Sequence, residues 1–216
     1  MKDKLLGIVI IAAGNSSRLG TEKQLVKFRG QTLLKNSIDL ALNFSTYAVC
    51  ILGHQADRVK LNVRNNNHNN TKYSNNSDID FVTNHNWQQG MGSSIAIGCE
   101  HFCNQERKFD AVMVMLCDQY LLQPEDLQQL LHGWQRYPNK IIASEYFEKK
   151  TNKLVIGAPA IFPQQYFDSL RELKEKGAKK IIEQNEASRV AIPIKNAATD
   201  LDTINDMKIL LEKDND

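Results

Sequence analysis

Residues 5–20 have the sequence LLGIVIIAAGNSSRLG, and this stretch decides the fold class. Residues 5–13 are apolar and rich in β-branched side chains, a pattern typical of a strand buried on both faces of a parallel sheet. Glycine and serine follow and indicate a sharp turn, in which Arg18 places a positive charge. The stretch therefore predicts a first strand and a loop at the edge of the sheet where α/β proteins bind ligands.

The rest of the chain alternates between short apolar runs and stretches with helical spacing. Strands are predicted at residues 47–52, 79–83, 111–116, 141–144, 154–162 and 190–193. Helices are predicted at residues 32–44, 55–63, 93–102, 124–137, 163–170, 178–185 and 203–211. This order predicts one α/β domain over residues 1–216, a three-layer sandwich with a Rossmann-like, mostly parallel sheet. Residues 65–77 are rich in asparagine, which bonds its own backbone, and are predicted to form a mobile surface loop.

Composition excludes several classes of protein. The 216 residues are 42% hydrophobic and 24% charged, and the net charge of +2 is too small to favour nucleic acid or a membrane surface as partner. No run reaches the about 18 apolar residues that a membrane span needs. Residues 5–13 pass directly into the glycine loop, which argues against a signal peptide, so we expect a cytoplasmic protein.

The first candidate motif is the loop after the first strand. Glycine and small residues let a backbone approach a ligand, and successive N–H groups can bind an anion. Arg18 and Lys23 add the positive charge that a triphosphate needs. The loop lacks both the Gly-Lys-Ser/Thr ending of a Walker loop and the Gly-x-Gly-x-x-Gly of a dinucleotide fold. Taken alone, it is equally compatible with a plain structural turn.

Two aspartates are candidate ligands of magnesium. Asp118 directly follows the apolar run at residues 111–116, where a carboxylate can face the ligand crevice. Asp202, in the sequence Asp200-Leu201-Asp202-Thr203, could lie beside it. Each has a structural alternative: Asp118 could cap a helix or form a loop salt bridge, and Asp202 or Thr203 could cap the last helix.

A second glycine motif, Gly90-Met91-Gly92-Ser93-Ser94, precedes a predicted helix. Helix amino termini bind anions, so this turn is either an anion site or a flexible turn with serine caps. Cys99 and Cys103 are four residues apart on the same helix, but only His101 lies between them. We interpret them as free thiols and not as a metal site.

Together and in this order, the motifs resemble the nucleotidyltransferases of molybdenum cofactor biosynthesis, and most closely the molybdenum cofactor cytidylyltransferases. The resemblance extends over nearly the whole chain. It rests on residues 11–20 with Lys23-Gln24-Leu25, residues 84–98, Cys117-Asp118-Gln119, and residues 157–162, 177–182 and 200–203.

The resemblance implies the fold of the nucleotide-diphospho-sugar transferases and a specific reaction. A nucleoside monophosphate would pass from a nucleoside triphosphate to the phosphate of the molybdopterin cofactor, with release of pyrophosphate. The Ala12-Ala13-Gly14 form of the loop is similar to the branch that uses CTP. Mg²⁺ would be the cofactor, and a molybdenum enzyme would receive the product. A catalytic histidine or cysteine is not required, because a phosphate nucleophile is already ionised.

The resemblance also implies roles for individual residues. By this resemblance, the residues that contact the nucleotide are Ala12, Ala13, Gly14, Arg18, Lys23 and Asn84. Arg18 and Lys23 would be the catalytic pair that binds phosphate. Magnesium binding falls on Asp118 and Asp202. Contacts to the acceptor fall on Gly92, Ser93, Ser94 and Gln119.

This sequence departs from the family pattern at two positions and in one loop. Tyr120 replaces a common proline, Lys179 replaces an arginine and so loses bidentate geometry, and the asparagine-rich loop is longer than usual. Two alternatives stay open. The protein could transfer nucleotides to a sugar phosphate or to methylerythritol phosphate, or it could be a maturation factor that binds nucleotide or cofactor without turnover.

Overall fold

The computed structural model describes residues 4–65, 79–148 and 151–214. Its strands are β1 (Leu6–Ala12), β2 (Lys27–Phe28), β3 (Gln31–Thr32), β4 (Ala48–Leu52), β5 (Ile79–Thr83), β6 (Ala111–Leu116), β7 (Ile141–Glu148), β8 (Lys153–Pro163) and β9 (Arg189–Pro193). Its α-helices are α1 (Leu33–Leu42), α2 (Ala56–Asn65), α3 (Met91–Cys103), α4 (Pro124–Arg136), α5 (Phe167–Arg171), α6 (Lys179–Gln184) and α7 (Ile204–Asp214). Residues 66–77 of the predicted asparagine-rich loop lie outside the described residues.

The main sheet has seven strands in the order β5-β4-β1-β6-β8-β7-β9. Neighbours pair in parallel except on the two sides of β8, which pairs antiparallel with both β6 and β7. Among the described strands of this sheet, β8 is thus the single one that runs backwards, and the prediction of a mostly parallel sheet is confirmed. The carboxyl ends of β1, β4, β6 and β7 therefore lie at one edge.

The three-layer arrangement follows from β1, which is buried along its whole length. Because successive side chains of a strand point to opposite faces, Ile8 and Ile10 belong to one hydrophobic cluster, and Val9 and Ile11 to the other. The first cluster includes side chains of α1 and α4, and the second includes side chains of α3 and α5. Helices thus cover both faces, as predicted for a parallel sheet.

The element boundaries show where the sequence pattern was sufficient. Thr32 caps α1 as predicted, since its side chain accepts a hydrogen bond from the backbone N–H of Lys35 at 3.2 Å. α3 begins at Met91, two residues before the predicted start, and β7 continues to Glu148 instead of ending at residue 144. The extension of β7 depends on pairing with β8, which no local pattern records.

A small hairpin of β2 and β3 was not predicted, because two-residue strands carry no periodic signal. Its turn uses left-handed backbone at Arg29 and Gly30. All four cysteines are free thiols. In residues 4–65, 79–148 and 151–214, no helix is both long and apolar enough to cross a bilayer.

Candidate active site

The loop that follows β1, residues 13–22, is held by a buried side chain. Gln24 has no exposed surface, and its amide nitrogen donates to the carbonyl oxygens of Ala12 at 2.8 Å and Gly14 at 2.9 Å. The two bonds fix the path of the chain as it leaves the sheet. A Cβ built on Gly14 would have no atom within 4 Å, so this glycine faces open space.

The loop then folds back on itself at Ser16, which has left-handed backbone with φ of 51°. The carbonyl oxygen of Ser16 accepts from the N–H groups of Leu19 and Gly20, at 2.9 and 3.2 Å. Its hydroxyl accepts from the N–H of Lys23 at 3.1 Å. These bonds return the chain to the end of the sheet, with Lys23 pointing toward the strand ends.

Lys23 lies at the centre of a charged cluster. Its ammonium donates to Oδ2 of Asp118 and lies 3.4 Å from Oδ1 of Asp202. Arg18, whose side chain is 70% exposed, adds a contact of 3.4 Å from Nη2 to Oδ2 of Asp202. Burial alone would lower the pKa of Lys23, but the charge and hydrogen bond of Asp118 outweigh it, with Asp202 adding to them. The pKa of Lys23 is therefore raised, and the ammonium stays charged.

Asp202 reaches this cluster because the loop before α7 is tied to the end of β6. The N–H of Leu201 donates to the carbonyl oxygen of Asp118 at 3.2 Å. Thr203 caps α7, since its hydroxyl accepts from the N–H of Asp206 at 3.2 Å, while Asp206 accepts from the N–H of Thr203 at 2.8 Å. The capping function predicted as an alternative for Asp202 therefore belongs to Thr203.

A cavity of about 270 Å³ opens at the carboxyl ends of β1 and β6, and we call it the central cavity. It lies between the loop after β1, the start of α3 and the residues that end β6. Six of the predicted site residues line it: Ala12, Ala13, Gly14, Lys23, Ser94 and Asp118. Asn15, Trp87 and Met91 line it as well and were not assigned a role from the sequence.

The start of α3 packs against the backbone of another segment. The N–H of Ser93 donates to the carbonyl oxygen of Lys174 at 2.7 Å. A Cβ on Gly90 would lie 2.2 Å from the carbonyl oxygen of Glu175, and one on Gly92 would lie 2.3 Å from that of Lys176. The two glycines thus admit the backbone of residues 174–176, whose carbonyls occupy one side of this helix end.

Three other predicted residues form buried networks. Asn84 has no exposed surface, and its amide nitrogen donates to the hydroxyls of Ser93 at 2.8 Å and Ser94 at 3.0 Å. The amide nitrogen of Gln119 donates to the carbonyl oxygens of Ala158 and Ala197, both at 2.9 Å. Asn84, Ser93, Gly92 and Gln119 do not line the central cavity. Their observed bonds instead hold its walls together.

Comparison with known proteins decides the family. A model of the MobA-like NTP transferase domain matches residues 8–190. The chain belongs to this family. The match covers the loop after β1, Lys23, Asp118 and the start of α3, which are the parts that form the central cavity. The resemblance inferred from the motifs is thus confirmed at the level of the family.

Individual relatives agree with this assignment. The chain is 30% identical over 98 residues to the molybdenum cofactor cytidylyltransferase of Escherichia coli (strain K12), a match of 43% of this chain and 46% of that protein. The matched part thus spans about half of that relative. The crystal structure of Rv0371c from Mycobacterium tuberculosis H37Rv has a TM-score of 0.74 and 23% identity, with 98% of this chain and 100% of that chain covered.

The same mycobacterial protein has also been solved in complex with manganese. That structure has a TM-score of 0.69 and 20% identity to this chain, and covers 98% of this chain and 100% of that one. At these identities the two mycobacterial structures establish the shared fold, and the predicted fold class is confirmed.

The two departures from the family pattern have local explanations in this NTP transferase domain. Tyr120 is 7% exposed and packs edge to face on Phe28, with ring centroids 5.1 Å apart. It belongs to a third hydrophobic cluster with Leu19 and Leu210, so it joins the loop after β1 to α7. Lys179 opens α6 on an exposed surface, with its ammonium 3.9 Å from Glu183.

The carboxylates fit a divalent cation that is shared with a nucleotide. Oδ1 of Asp118 is buried and has no hydrogen-bond partner, although Lys23 contacts the other oxygen. Within the described part of the chain, no group of three or more acidic, histidine or cysteine side chains could hold a metal. Magnesium is bound in many nucleotide sites by one or two carboxylates, with phosphate oxygens and water completing the shell. Asp118 and Asp202 match that donor set.

The cavity has no activated thiol. Cys117 lies beside Asp118 and lines the cavity, but burial raises its pKa to about 12, with the charge of Asp118 adding to the effect. The thiol therefore stays protonated near neutral pH and is a poor nucleophile.

Sequence reasoning missed Gln24, Trp87 and Met91 as parts of the site. Gln24 is next to Lys23, but nothing in a Lys-Gln-Leu sequence indicates that the glutamine is the buried residue. Trp87 packs edge to face on His54, with centroids 5.5 Å apart, and so connects the cavity wall to the end of β4. Trp87 stood in the motif used for the resemblance and could have been selected as the aromatic residue nearest the glycine turn.

Proposed function

We propose that this protein transfers a nucleoside monophosphate, CMP from CTP, to the phosphate of the molybdenum-loaded molybdopterin cofactor, and releases pyrophosphate. The observation that carries the proposal is the cluster of Lys23, Asp118 and Asp202 at the rim of the central cavity. The family match and the partial identity to a molybdenum cofactor cytidylyltransferase support it. A molybdenum enzyme is the proposed recipient of the product.

In this proposal the nucleotide lies in the central cavity. Ala12, Ala13 and Gly14 contact it with backbone groups, because the open side of Gly14 lets a ligand approach closely. Lys23 and Arg18 bind the triphosphate and stabilise the negative charge that develops on pyrophosphate as it leaves. Phosphoryl transfer of this kind depends mainly on positioning and charge stabilisation, and the attacking phosphate needs no general base.

Asp118 and Asp202 are the proposed ligands of Mg²⁺. When bound, the ion would neutralise charge at the phosphates of the nucleotide. Lys23 contacts both carboxylates, so it holds them close together and balances their charge. The manganese complex of the mycobacterial structure supports a divalent ion in this fold.

The five remaining predicted residues receive positioning roles in the proposal. Asn84 fixes Ser93 and Ser94 at the start of α3, and Ser94 lines the cavity. Gln119 ties the residue after Asp118 to the backbone at Ala158 and Ala197. Gly92 admits the backbone of residues 174–176 against the helix. These contacts set the geometry of the acceptor side without requiring direct contact with the acceptor.

The test is a matrix of donors and acceptors. The purified protein is incubated with Mg²⁺ and CTP, GTP or ATP, and with molybdenum-loaded molybdopterin, a sugar phosphate or methylerythritol phosphate, and released pyrophosphate is measured. The expected result is pyrophosphate with CTP and molybdopterin, and none without acceptor or without metal. Turnover with one of the other acceptors would replace the proposed substrate.

A second result would replace the proposed class of protein altogether. Tight binding of CTP and molybdopterin with no pyrophosphate from any pair would favour a maturation factor that does not turn over. Asp118→Asn is the matched control, because it keeps the size of the side chain and removes its charge. Pyrophosphate release that persists at nearly the wild-type rate in this variant would contradict the proposed role of Asp118.

A further inference from the structure

Tyr146 lies near the end of β7, at the same edge of the sheet as Asp118. β7 and β6 both pair antiparallel with β8, so they run in the same direction and end at the same edge. The ring of Tyr146 is partly buried and packs against the first hydrophobic cluster, as do Val190 and Ile192 of β9. This packing fixes the position of the ring, and the hydroxyl at its end is the polar group of the side chain.

The hydroxyl of Tyr146 makes no hydrogen bond to any residue within the described ranges. Beside it on β8 lies Gly157, where an added Cβ would be 3.4 Å from the phenolic oxygen. The motif Gly157-Ala158-Pro159 therefore leaves space next to an unused hydrogen-bond donor. Its neighbour Ala158 accepts from Gln119, which directly follows Asp118, so this part of β8 is connected to the charged cluster.

The charges of three carboxylates act on this hydroxyl. Burial raises the pKa of Tyr146 to about 12, and the charges of Asp200, Glu148 and Asp118 contribute in that order. The phenol therefore remains protonated at neutral pH and can donate a hydrogen bond. A protonated phenol can donate to a phosphate oxygen, which a phenolate could not do.

We propose that Tyr146 contacts the acceptor, and that its hydroxyl donates a hydrogen bond to the acceptor's phosphate at the side of Gly157. The inference rests on the proposed function. The central cavity lies on the β1 side of Asp118, so an acceptor that attacks in line must approach from the side of β8 and β7. An oxygen of the acceptor phosphate forms the new bond to the α-phosphorus. The bond from that phosphorus to the bridging oxygen breaks, and its electron pair leaves with pyrophosphate.

The test uses Tyr146→Phe, which keeps the ring and removes the hydroxyl. Because a hydrogen bond to a charged group is lost, kcat/KM for molybdenum-loaded molybdopterin should fall by about tenfold or more. KM for CTP should change by less than about twofold, since the nucleotide lies on the other side of Asp118. Gly157→Val, which fills the space beside the hydroxyl, should also raise KM for the acceptor.

A binding measurement separates the phosphate contact from other effects of the substitution. By calorimetry, the dissociation constant of the phosphorylated pterin should rise about tenfold in Tyr146→Phe. The same pterin without its phosphate should bind to wild type and variant equally. Tyr137→Phe is the matched control, because Tyr137 is 37% exposed and adjoins Pro138 in a cavity at the opposite edge of the sheet.

Equal constants for the phosphorylated pterin in wild type and Tyr146→Phe would overturn the inference. So would an equal loss for both forms of the pterin, which would indicate a structural role for the hydroxyl. A wild-type protein that binds the acceptor and releases no pyrophosphate contradicts only the proposed function, because the ratio of dissociation constants still decides the role of Tyr146.

Discussion

The loop at residues 13–22 and the turn at residues 90–94 have similar sequences and opposite structures. Both follow a strand, and both combine glycine with serine. Gly14 in the loop has no atom within 4 Å of an added Cβ, whereas Gly92 in the turn would place its Cβ 2.3 Å from a carbonyl oxygen. The first glycine leaves room for a ligand, and the second leaves room for another part of the chain.

The difference shows why a glycine motif alone does not identify a ligand site. Glycine permits close approach, but the sequence does not say what approaches. At the loop after β1, the partners within reach are the charges of Lys23 and Asp118. At the start of α3, the partner is the backbone of residues 174–176, which already accepts a hydrogen bond from Ser93.

The largest effect on turnover is expected from removing the charge of Asp118, which lies beside the open loop. Asp118→Asn should lower turnover by about 1,000-fold, because a buried carboxylate proposed to bind the metal is lost. Steady-state release of pyrophosphate measures the loss, and thermal unfolding should show a folded variant. Turnover within tenfold of wild type would remove Asp118 from the proposed metal site.

The two glycines provide a direct test of the comparison. Gly92→Ala should lower the free energy of unfolding by about 1–3 kcal/mol, because its methyl group meets backbone atoms that must shift. Gly14→Ala should leave that free energy unchanged or raise it by up to about 1 kcal/mol, since the methyl group enters open space. Urea denaturation measures both.

The two glycine variants should also differ in KM for the triphosphate. Gly14→Ala should raise KM for the triphosphate, because its methyl group faces the central cavity. Equal stability losses for the two variants would show that the open loop and the closed turn are not different in solution.

A smaller effect is expected for binding of metal in the absence of nucleotide. Lys23 contacts both Asp118 and Asp202, so it competes with a cation for them. Lys23→Met should therefore bind Mn²⁺ alone about tenfold more tightly than wild type, an effect of about 1.4 kcal/mol. Calorimetry with Mn²⁺ measures the change, and Lys179→Met is the exposed control. Unchanged affinity for Mn²⁺ would show that Lys23 does not occupy the metal position.

The smallest effect is expected at Arg18. Its side chain is 70% exposed, so Arg18→Ala should change the free energy of unfolding by no more than about 0.5 kcal/mol. KM for the triphosphate should rise a few-fold at low salt, and the difference from wild type should shrink as salt increases. A KM independent of salt in both proteins would remove Arg18 from the phosphate site.

Much of the fold could be predicted from local pattern. The strands β1, β4 and β6 have continuous apolar runs, and their predicted bounds and those of β5 agree with the structure to within two residues. The pattern failed for the end of β7, which extends to Glu148 through pairing with β8. It also failed for the hairpin of β2 and β3, whose two-residue strands carry no periodic signal.

The candidate site shows the same division. Lys23, Asp118 and Asp202 were selected as charges after strands, and the structure brings them together. Gln24 and Tyr146 could not be selected, because the residue type of a glutamine or a tyrosine does not by itself indicate a position in the wall of a site. Only the structure shows that the Gln24 amide is bonded to the carbonyls of the loop and that the Tyr146 ring packs against the first hydrophobic cluster.

The sequence by itself determined the layers and the edge of the site. Apolar runs alternating with amphipathic stretches require a covered parallel sheet, and parallel strands bring their carboxyl ends to one edge. Only the tertiary structure decided which glycine turn is open and which side chain balances the two aspartates. Those outcomes depend on distances between segments more than 80 residues apart, such as Lys23 and Asp118, and no local pattern encodes them.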